Sequence, residues 1–328
     1  MKQKNKNIYR IVIVITILVT IFSGCRQTDN TSGDNKGETI LHGTISISGA
    51  FALYPLTVRW AEEFQKLHSE VRIDISAGGA GKGMADALSG MVDLGMFSRE
   101  VSREEYHRGA WCIAVAKDAV LPTINSDNPF IIMIKKSGIS RNQLVSVFIE
   151  NNVDTWEECM GKAGNTPFHI YTRSDACGAA EMFGKYLGGN QEKLSGTGVY
   201  GDPGMADAIK KDVYGIGYNN VIYVYDMKSR RKYDCMEVFP IDLNDNGMID
   251  DDEDFYLTLD DVMNAIKENK YPSPPARDLY FVSKGKPGNK VVIAFLKWIL
   301  TDGQNYVGEA GYVQLTGSKI DTELQKLE

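Results

Sequence analysis

The 328-residue sequence has no surplus of positive charge. Its 36 lysines and arginines face 43 aspartates and glutamates, for a formal net charge of −7. A nucleic-acid-binding face needs a basic patch, so no nucleic-acid partner is expected. Histidine is scarce: His42, His68, His107 and His169 stand far apart, and no Cys-x-x-Cys pair accompanies them. Zinc spacing and a histidine-based catalytic centre are therefore both without support. With 43% hydrophobic and 24% charged residues, the composition is that of a folded chain and excludes fibrous or disordered classes. The chain also lacks an apolar run of the roughly 20 residues that span a bilayer as a helix. Its most apolar stretch is residues 11–22.

That stretch follows Lys2, Lys4, Lys6 and Arg10 and precedes Ser23-Gly24-Cys25, the order of a signal peptide: basic start, short apolar middle, small residues at the cut. Ile-Phe-Ser-Gly-Cys resembles the bacterial lipobox, which implies cleavage before Cys25 and a lipid anchor on that cysteine. The expected location is the cell envelope, as a membrane-anchored lipoprotein facing the periplasm or the exterior. Residues 26–39 are polar and aperiodic and read as a flexible tether. Removing residues 1–25 takes away positive charge only, so the mature chain is more acidic still. Cys112, Cys159, Cys177 and Cys235 remain, with three possible disulfide pairings and nothing to choose among them.

After the tether, strand and helix patterns alternate. Residues 44–48, 71–75 and 92–95 read as strands, and 55–67 and 83–88 as helices. The rhythm returns with strand 168–172, helix 178–187, helix 205–211, strand 215–218 and the apolar run 221–225. It closes with strand 279–282 and helix 291–300. This pattern predicts an α/β protein with helices on both faces of its sheets. Two extended connections, 109–128 and the proline-rich 271–276, separate the α/β units and predict two lobes with a cleft between them. The expected division is 40–125 with 275–328 as lobe 1 and 126–274 as lobe 2.

Ligands of open α/β sheets sit beyond the carboxyl ends of strands, where loops meet helix N-termini. Four loops qualify. They carry Ala50, Phe51 and Ala52; Ala80 and Gly81; Ser98 and Arg99; and Arg173, Asp175, Cys177, Gly178 and Ala179. Exposed N–H groups at helix starts attract anions, and arginine adds a planar fork that stays charged at any working pH. Asp175 is placed to orient Arg173 or to accept a proton from a ligand oxygen. The Gly78–Gly83 turn is not a nucleotide P-loop, since Ser76 and Gly83 stand where that motif needs Gly and Ser or Thr.

Ser48-Gly-Ala-Phe-Ala-Leu-Tyr-Pro-Leu56, Gly79-Ala-Gly-Lys-Gly-Met84, Asp93-Leu-Gly-Met-Phe-Ser-Arg99 and Arg173-Ser-Asp-Ala-Cys-Gly-Ala179 together resemble the phosphate-binding proteins of bacterial ABC uptake systems. The resemblance covers nearly all of residues 40–318. It implies a type II periplasmic-binding-protein fold whose two lobes close on inorganic phosphate or another small oxyanion. It also implies delivery to an ABC permease in the membrane, with no chemistry on the cargo. The expected state is a monomer. Against the family pattern, Phe51, Ala80, Cys177 and Ala179 replace residues that would supply hydroxyls. Each charge-assisted hydrogen bond lost costs about 1.5–3 kcal/mol unless another donor replaces it. The third loop offers Ser98-Arg99 where the family commonly has an acid that accepts a phosphate proton. Sulfate or a tungstate-like ion are the alternatives to phosphate.

A second motif lies in the expected second lobe. Residues 242–253 match the calcium-loop pattern D-x-[DN]-x-[DN]-G-x5-E at every defined position. Asp242, Asn244 and Asn246 supply oxygens at loop positions 1, 3 and 5, and Gly247 permits the turn. Met248 offers its carbonyl, Asp250 acts directly or through water, and Glu253 is bidentate. Pro240 opposes an incoming helix, so an EF-like loop followed by a helix over 254–267 is expected, with Ca2+ in a structural role. Two functions of other classes compete with the receptor reading: an exported phosphate-ester hydrolase, and a calcium-dependent surface scaffold. Cys177, at a helix start, is the one hydrolase nucleophile in view, and no general base lies near it in sequence.

Overall fold

The computed structural model describes residues 41–328. The signal peptide, Cys25 and the tether lie outside the described residues. The strands, in chain order, are β1 (Gly43–Gly49), β2 (Val71–Ala77), β3 (Leu94–Phe97), β4 (Ala110–Asp118), β5 (Val120–Ile124) and β6 (Ile139–Ser140). They continue with β7 (His169–Arg173), β8 (Thr197–Val199), β9 (Gly215–Asn220), β10 (Glu237–Val238), β11 (Ile241–Asp242) and β12 (Arg277–Lys284). Two five-stranded mixed sheets form, in the orders β2-β1-β3-β12-β4 and β10-β5-β9-β7-β8.

Alternation builds the first sheet. Ile45 and Ile47 of β1 and Val71 and Ile73 of β2 turn to one side, in parallel register with Ile45 opposite Ile73. Helix Tyr54–Leu67 covers them with Leu56, Trp60, Ala61 and Phe64, spaced at one helical face, and carries Pro55 in its first turn, where no N–H is missed. Trp60 Nε1 donates to Gly303 O at 2.8 Å, so the buried indole has no unpaired donor. A separate apolar cluster surrounds the second sheet. It includes Phe148, Trp156, Phe183, Tyr218 and Phe239.

The site end of the first sheet depends on glycine. Gly49 ends β1 at φ 130°, and a Cβ there would overlap Met96 O and the Cα of Gly83. Helix Ala80–Ser89 can therefore lie directly on β1 and β3, which brings its N-terminus level with the ends of those strands.

The chain changes sheets twice. β4 ends at Asp118 and β5 begins at Val120, so a single residue, Ala119, separates the two sheets on the outward passage. β5 pairs antiparallel with β9. Residues 120–124, assigned from sequence to lobe 1, therefore belong to the second sheet, because one uniformly apolar run serves as two strands with no turn between. The return runs through the proline-rich connector into β12, which enters the first sheet antiparallel to β4 with Arg277 opposite Asp118. The apolar run 221–225, which comes after the strand pattern 215–218, forms a short helix at Val221–Val224. One other expectation is corrected. The helix after the acidic loop starts at Leu259, where Thr258 and Asp261 form a capping box that sets its first turn.

Candidate functional site

The loops that follow β1, β2, β3 and β7 meet one another. Gly81 N donates to Ala176 O at 3.1 Å, tying the second loop to the fourth. Ser98 lies against Gly178, so closely that a Cβ on Gly178 would overlap both the carbonyl and the hydroxyl of Ser98. Asp175 approaches Gly79. The Phe51 ring meets Tyr200 edge-on at 6.1 Å, and Tyr223 Oη donates to Phe51 O at 3.2 Å. Loops from both sheets are thus in contact around one point.

At that point sits Arg173, its side chain 1% exposed. It ends β7, and its backbone N–H donates to Tyr218 Oη at 3.1 Å, which aims the side chain. Nε and Nη2 grip Asp175 at 2.8 and 2.7 Å, the bidentate contact expected from the Arg-x-Asp spacing. Nη1 lies 3.0 Å from Asp202 Oδ1, a contact the sequence reading did not foresee. Burial works against the Arg173 charge, but Asp202 and Asp175 outweigh it and hold the guanidinium more firmly protonated than usual. Burial raises the Asp202 carboxyl above the ordinary aspartate range despite Arg173 and Arg277 beside it. The only sequence hint for Asp202 is an acid following Gly201 at a helix start.

A second buried guanidinium, Arg277, was also missed. It arrives from β12 and donates through Nε to Ser98 O at 3.3 Å and through Nη2 to Asn220 Oδ1. Its Nη1 has no partner. Asp118 lies 3.5 Å from Nη2, and burial pushes its carboxyl up to about 6. Arg277 falls between the connector 271–276 and the strand expected at 279–282, so nothing in the sequence marked it.

Other proposed donors are already engaged. Ala50 N donates to Met96 O at 2.9 Å, Gly81 N to Ala176 O, and Cys177 N to Gln191 Oε1 at 3.0 Å. These three amides do not present themselves to a ligand, because turn closure and the Gln191 side chain claim them. Among the described residues no acceptor takes the N–H of Phe51, Ala52, Ala80, Ser98, Gly178 or Ala179. Arg99 is also corrected. Its fork holds Glu105 at 3.0 and 2.7 Å and lies over the Phe97 ring, because Ser102 and Glu105 form a helix capping box within reach. It lines, with Gly81, Ala176, Cys177 and Gln191, a crevice of about 310 Å³ beside the Arg173 cluster. Burial pushes the Cys177 thiol up to about 12, with Asp202 and Asp175 adding to this and Arg173 opposing it. That is the reverse of what a nucleophile needs. Its Sγ accepts from Ala180 N at 3.4 Å, so the sulfur caps the helix.

In the acidic loop, Asp242 accepts from Asn246 N and Gly247 N at 3.2 and 2.8 Å. Glu253 accepts from Leu243 N and Asn244 N at 2.8 and 3.2 Å and from Asp250 N at 3.3 Å. Both carboxylates are buried. Asp250 instead takes the amide groups of Asn244 and Asn246, each at 2.8 Å. Among the described residues no three His, Cys, Asp or Glu side chains gather as a metal-holding group. Ile249 N donates to Lys136 O at 2.9 Å, anchoring the loop to its neighbour.

Comparison with known proteins accords with this geometry. The phosphate-binding protein PstS of Staphylococcus epidermidis is 23% identical over 322 residues, covering 94% of this chain and 89% of the relative. PstS of Staphylococcus aureus is 21% identical over 299 residues, 89% of this chain and 85% of its own. Among solved structures, a candidate phosphate ABC transporter substrate-binding protein from Clostridium perfringens, with bound phosphate, superposes with a TM-score of 0.67. It has 21% identity, covering 84% of this chain and all of its own. An ABC-type phosphate transport receptor from Vibrio cholerae gives 0.60 at 16% identity, covering 83% and 100%. These structures show the fold as the two-lobed type II periplasmic-binding-protein architecture. The family model described as the PBP superfamily domain matches residues 30–303, and the chain belongs to that family.

Proposed function

We propose that this chain is the solute-binding receptor of an ABC importer and that its cargo is an inorganic oxyanion, phosphate first. The observation that carries this reading is the meeting of four strand-end loops around Arg173, with unclaimed amides at Phe51, Ala52, Ala80, Ser98, Gly178 and Ala179. A guanidinium held by Asp175 keeps its remaining N–H groups fixed in direction, and amides at helix starts add positive potential without mobile charge. Closure of the lobes removes water from the anion and lets these donors replace its hydration shell. The relatives named above are phosphate-binding, and one holds phosphate. The cargo is carried without chemical change, in line with a Cys177 thiol that stays protonated. Cys25 would tether the receptor to a membrane of the cell envelope through lipid, facing the periplasm or the exterior, with the permease as partner.

Equilibrium dialysis with labelled phosphate tests the reading. Retained label that unlabelled phosphate displaces better than sulfate or tungstate is the expected result. Failure to retain phosphate, sulfate or tungstate would remove the receptor assignment.

We also propose that loop 242–253 takes Ca2+. Asp242 and Glu253 would hold it, with Asn244, Asn246, Asp250 and the Met248 carbonyl completing the shell once the two asparagines turn their oxygens inward. The support is the full motif together with two buried carboxylates at its ends. Calcium should raise the melting temperature over that in EDTA, and Asp242→Ala should erase the difference. Superimposable melting curves of the parent protein with calcium and with EDTA would dismiss the ion.

A further inference from the structure

Arg173 already has a complete counter-ion in Asp175, which satisfies two nitrogens of its fork. A second buried carboxylate on the same guanidinium is therefore not needed for neutrality. Asp202 nevertheless reaches Arg173 Nη1 through Oδ1, and the same Oδ1 accepts from Asn220 Nδ2 at 2.5 Å. Asn220 in turn receives Arg277 Nη2, whose sister nitrogen Nη1 is buried without a partner. The order is thus Arg173, Asp202, Asn220, Arg277, all buried at the junction of the two sheets. An anion seeking Arg173 meets the negative charge of Asp202 at its edge. In a buried site such like-charge contact is expensive, and an orphaned guanidinium nitrogen nearby is expensive too. A movement of Asp202 toward Arg277 relieves both, working against Asp118, which already stands 3.5 Å from Arg277 Nη2.

We propose that Asp202 is an affinity-setting internal counter-ion: it occupies Arg173 Nη1 until an oxyanion takes that place, and then passes to the unpartnered Nη1 of Arg277. The inference rests on the oxyanion-receptor reading and assigns two residues that the four loops do not contain. Because Asp202 competes with the ligand, it sets the affinity. Because Arg277 receives it, the strand that returns from the second sheet to the first is tied to ligand arrival.

Phosphate titration calorimetry on the full chain and three variants tests this. In Asp202→Asn the displaced group is neutral, and phosphate should bind about tenfold tighter, one charge-assisted contact no longer being surrendered. In Arg277→Gln the destination is gone, and phosphate should bind about tenfold weaker. In the double variant the Arg277→Gln penalty should vanish, since a neutral residue 202 needs no destination. Weaker binding by Asp202→Asn overturns the proposal, as does an equal Arg277→Gln penalty in both backgrounds. If Arg277→Gln does not fold, Arg277→Lys replaces it. It retains a charge to receive Asp202 and should bind within a few-fold of the parent, whereas a tenfold or greater loss in Arg277→Lys that persists in Asp202→Asn/Arg277→Lys overturns the relay. Absence of phosphate binding by the parent protein in the same titration would instead indict the receptor reading.

Discussion

Gly178→Val is expected to weaken oxyanion binding about tenfold to a hundredfold while leaving both sheets folded. A Cβ on Gly178 would occupy the space of the Ser98 carbonyl and hydroxyl, so the fourth loop cannot approach the third. Gly178 begins a helix, a position where valine is tolerated locally, and the conflict arises only across the junction. Overpacking at such a contact costs roughly 1–3 kcal/mol, charged against closure instead of against either core. Small-angle scattering with saturating phosphate should show a larger radius of gyration than the parent, and dialysis should show the lost affinity. Parent-like affinity in the valine variant would mean that the contact is not part of the liganded state.

Arg173→Ala should abolish oxyanion binding and also destabilise the protein. Its removal strands buried Asp202 and partly buried Asp175 without their counter-ion. Breaking a buried pair by removing one partner costs about 3–5 kcal/mol. The pH dependence follows from the sign of the Asp202 shift. Its native carboxyl titrates above the unfolded value, so ionised Asp202 disfavours folding, and removing Arg173 enlarges that penalty. Stability lost at neutral pH should therefore be partly recovered as the pH falls and Asp202 takes up its proton. Arg173→Lys should retain more stability than the alanine variant but not the binding, because an ammonium cannot hold Asp175 and the anion with one planar fork. Thermal melts at pH 5 and pH 8 distinguish these expectations. A loss equal at both pH values would show that Asp202 charge is not the cause.

The fold class and the four loops were legible because they depend on local pattern. Alternation gave β1 and β2, helical spacing gave Leu56, Trp60 and Phe64, and glycine before a helix marked the Gly78–Gly83 and Arg173–Ala179 turns. Arg173 and Asp175 are two residues apart, so their pairing was foreseeable from the chain alone. Arg99 and the amides of Ala50, Gly81 and Cys177 were read as ligand groups for the same local reason, but other groups, some nearby in sequence and some distant, already engage them. Glu105, Met96, Ala176 and Gln191 reach them first.

The sequence by itself determined the alternation of strands and helices, the export pattern, the acidic loop and the presence of an arginine at a glycine-rich helix start. Each is written within a dozen or so neighbouring residues. Only the tertiary structure decided what surrounds that arginine. Asp202 lies 29 positions beyond Arg173 and Arg277 more than 100, and they meet because β7 ends, β12 begins and the helix after β8 starts at one junction. Buried charge acts over a few ångströms of space and is indifferent to distance along the chain, so the electrostatics of the site could be counted only after the strands were in place.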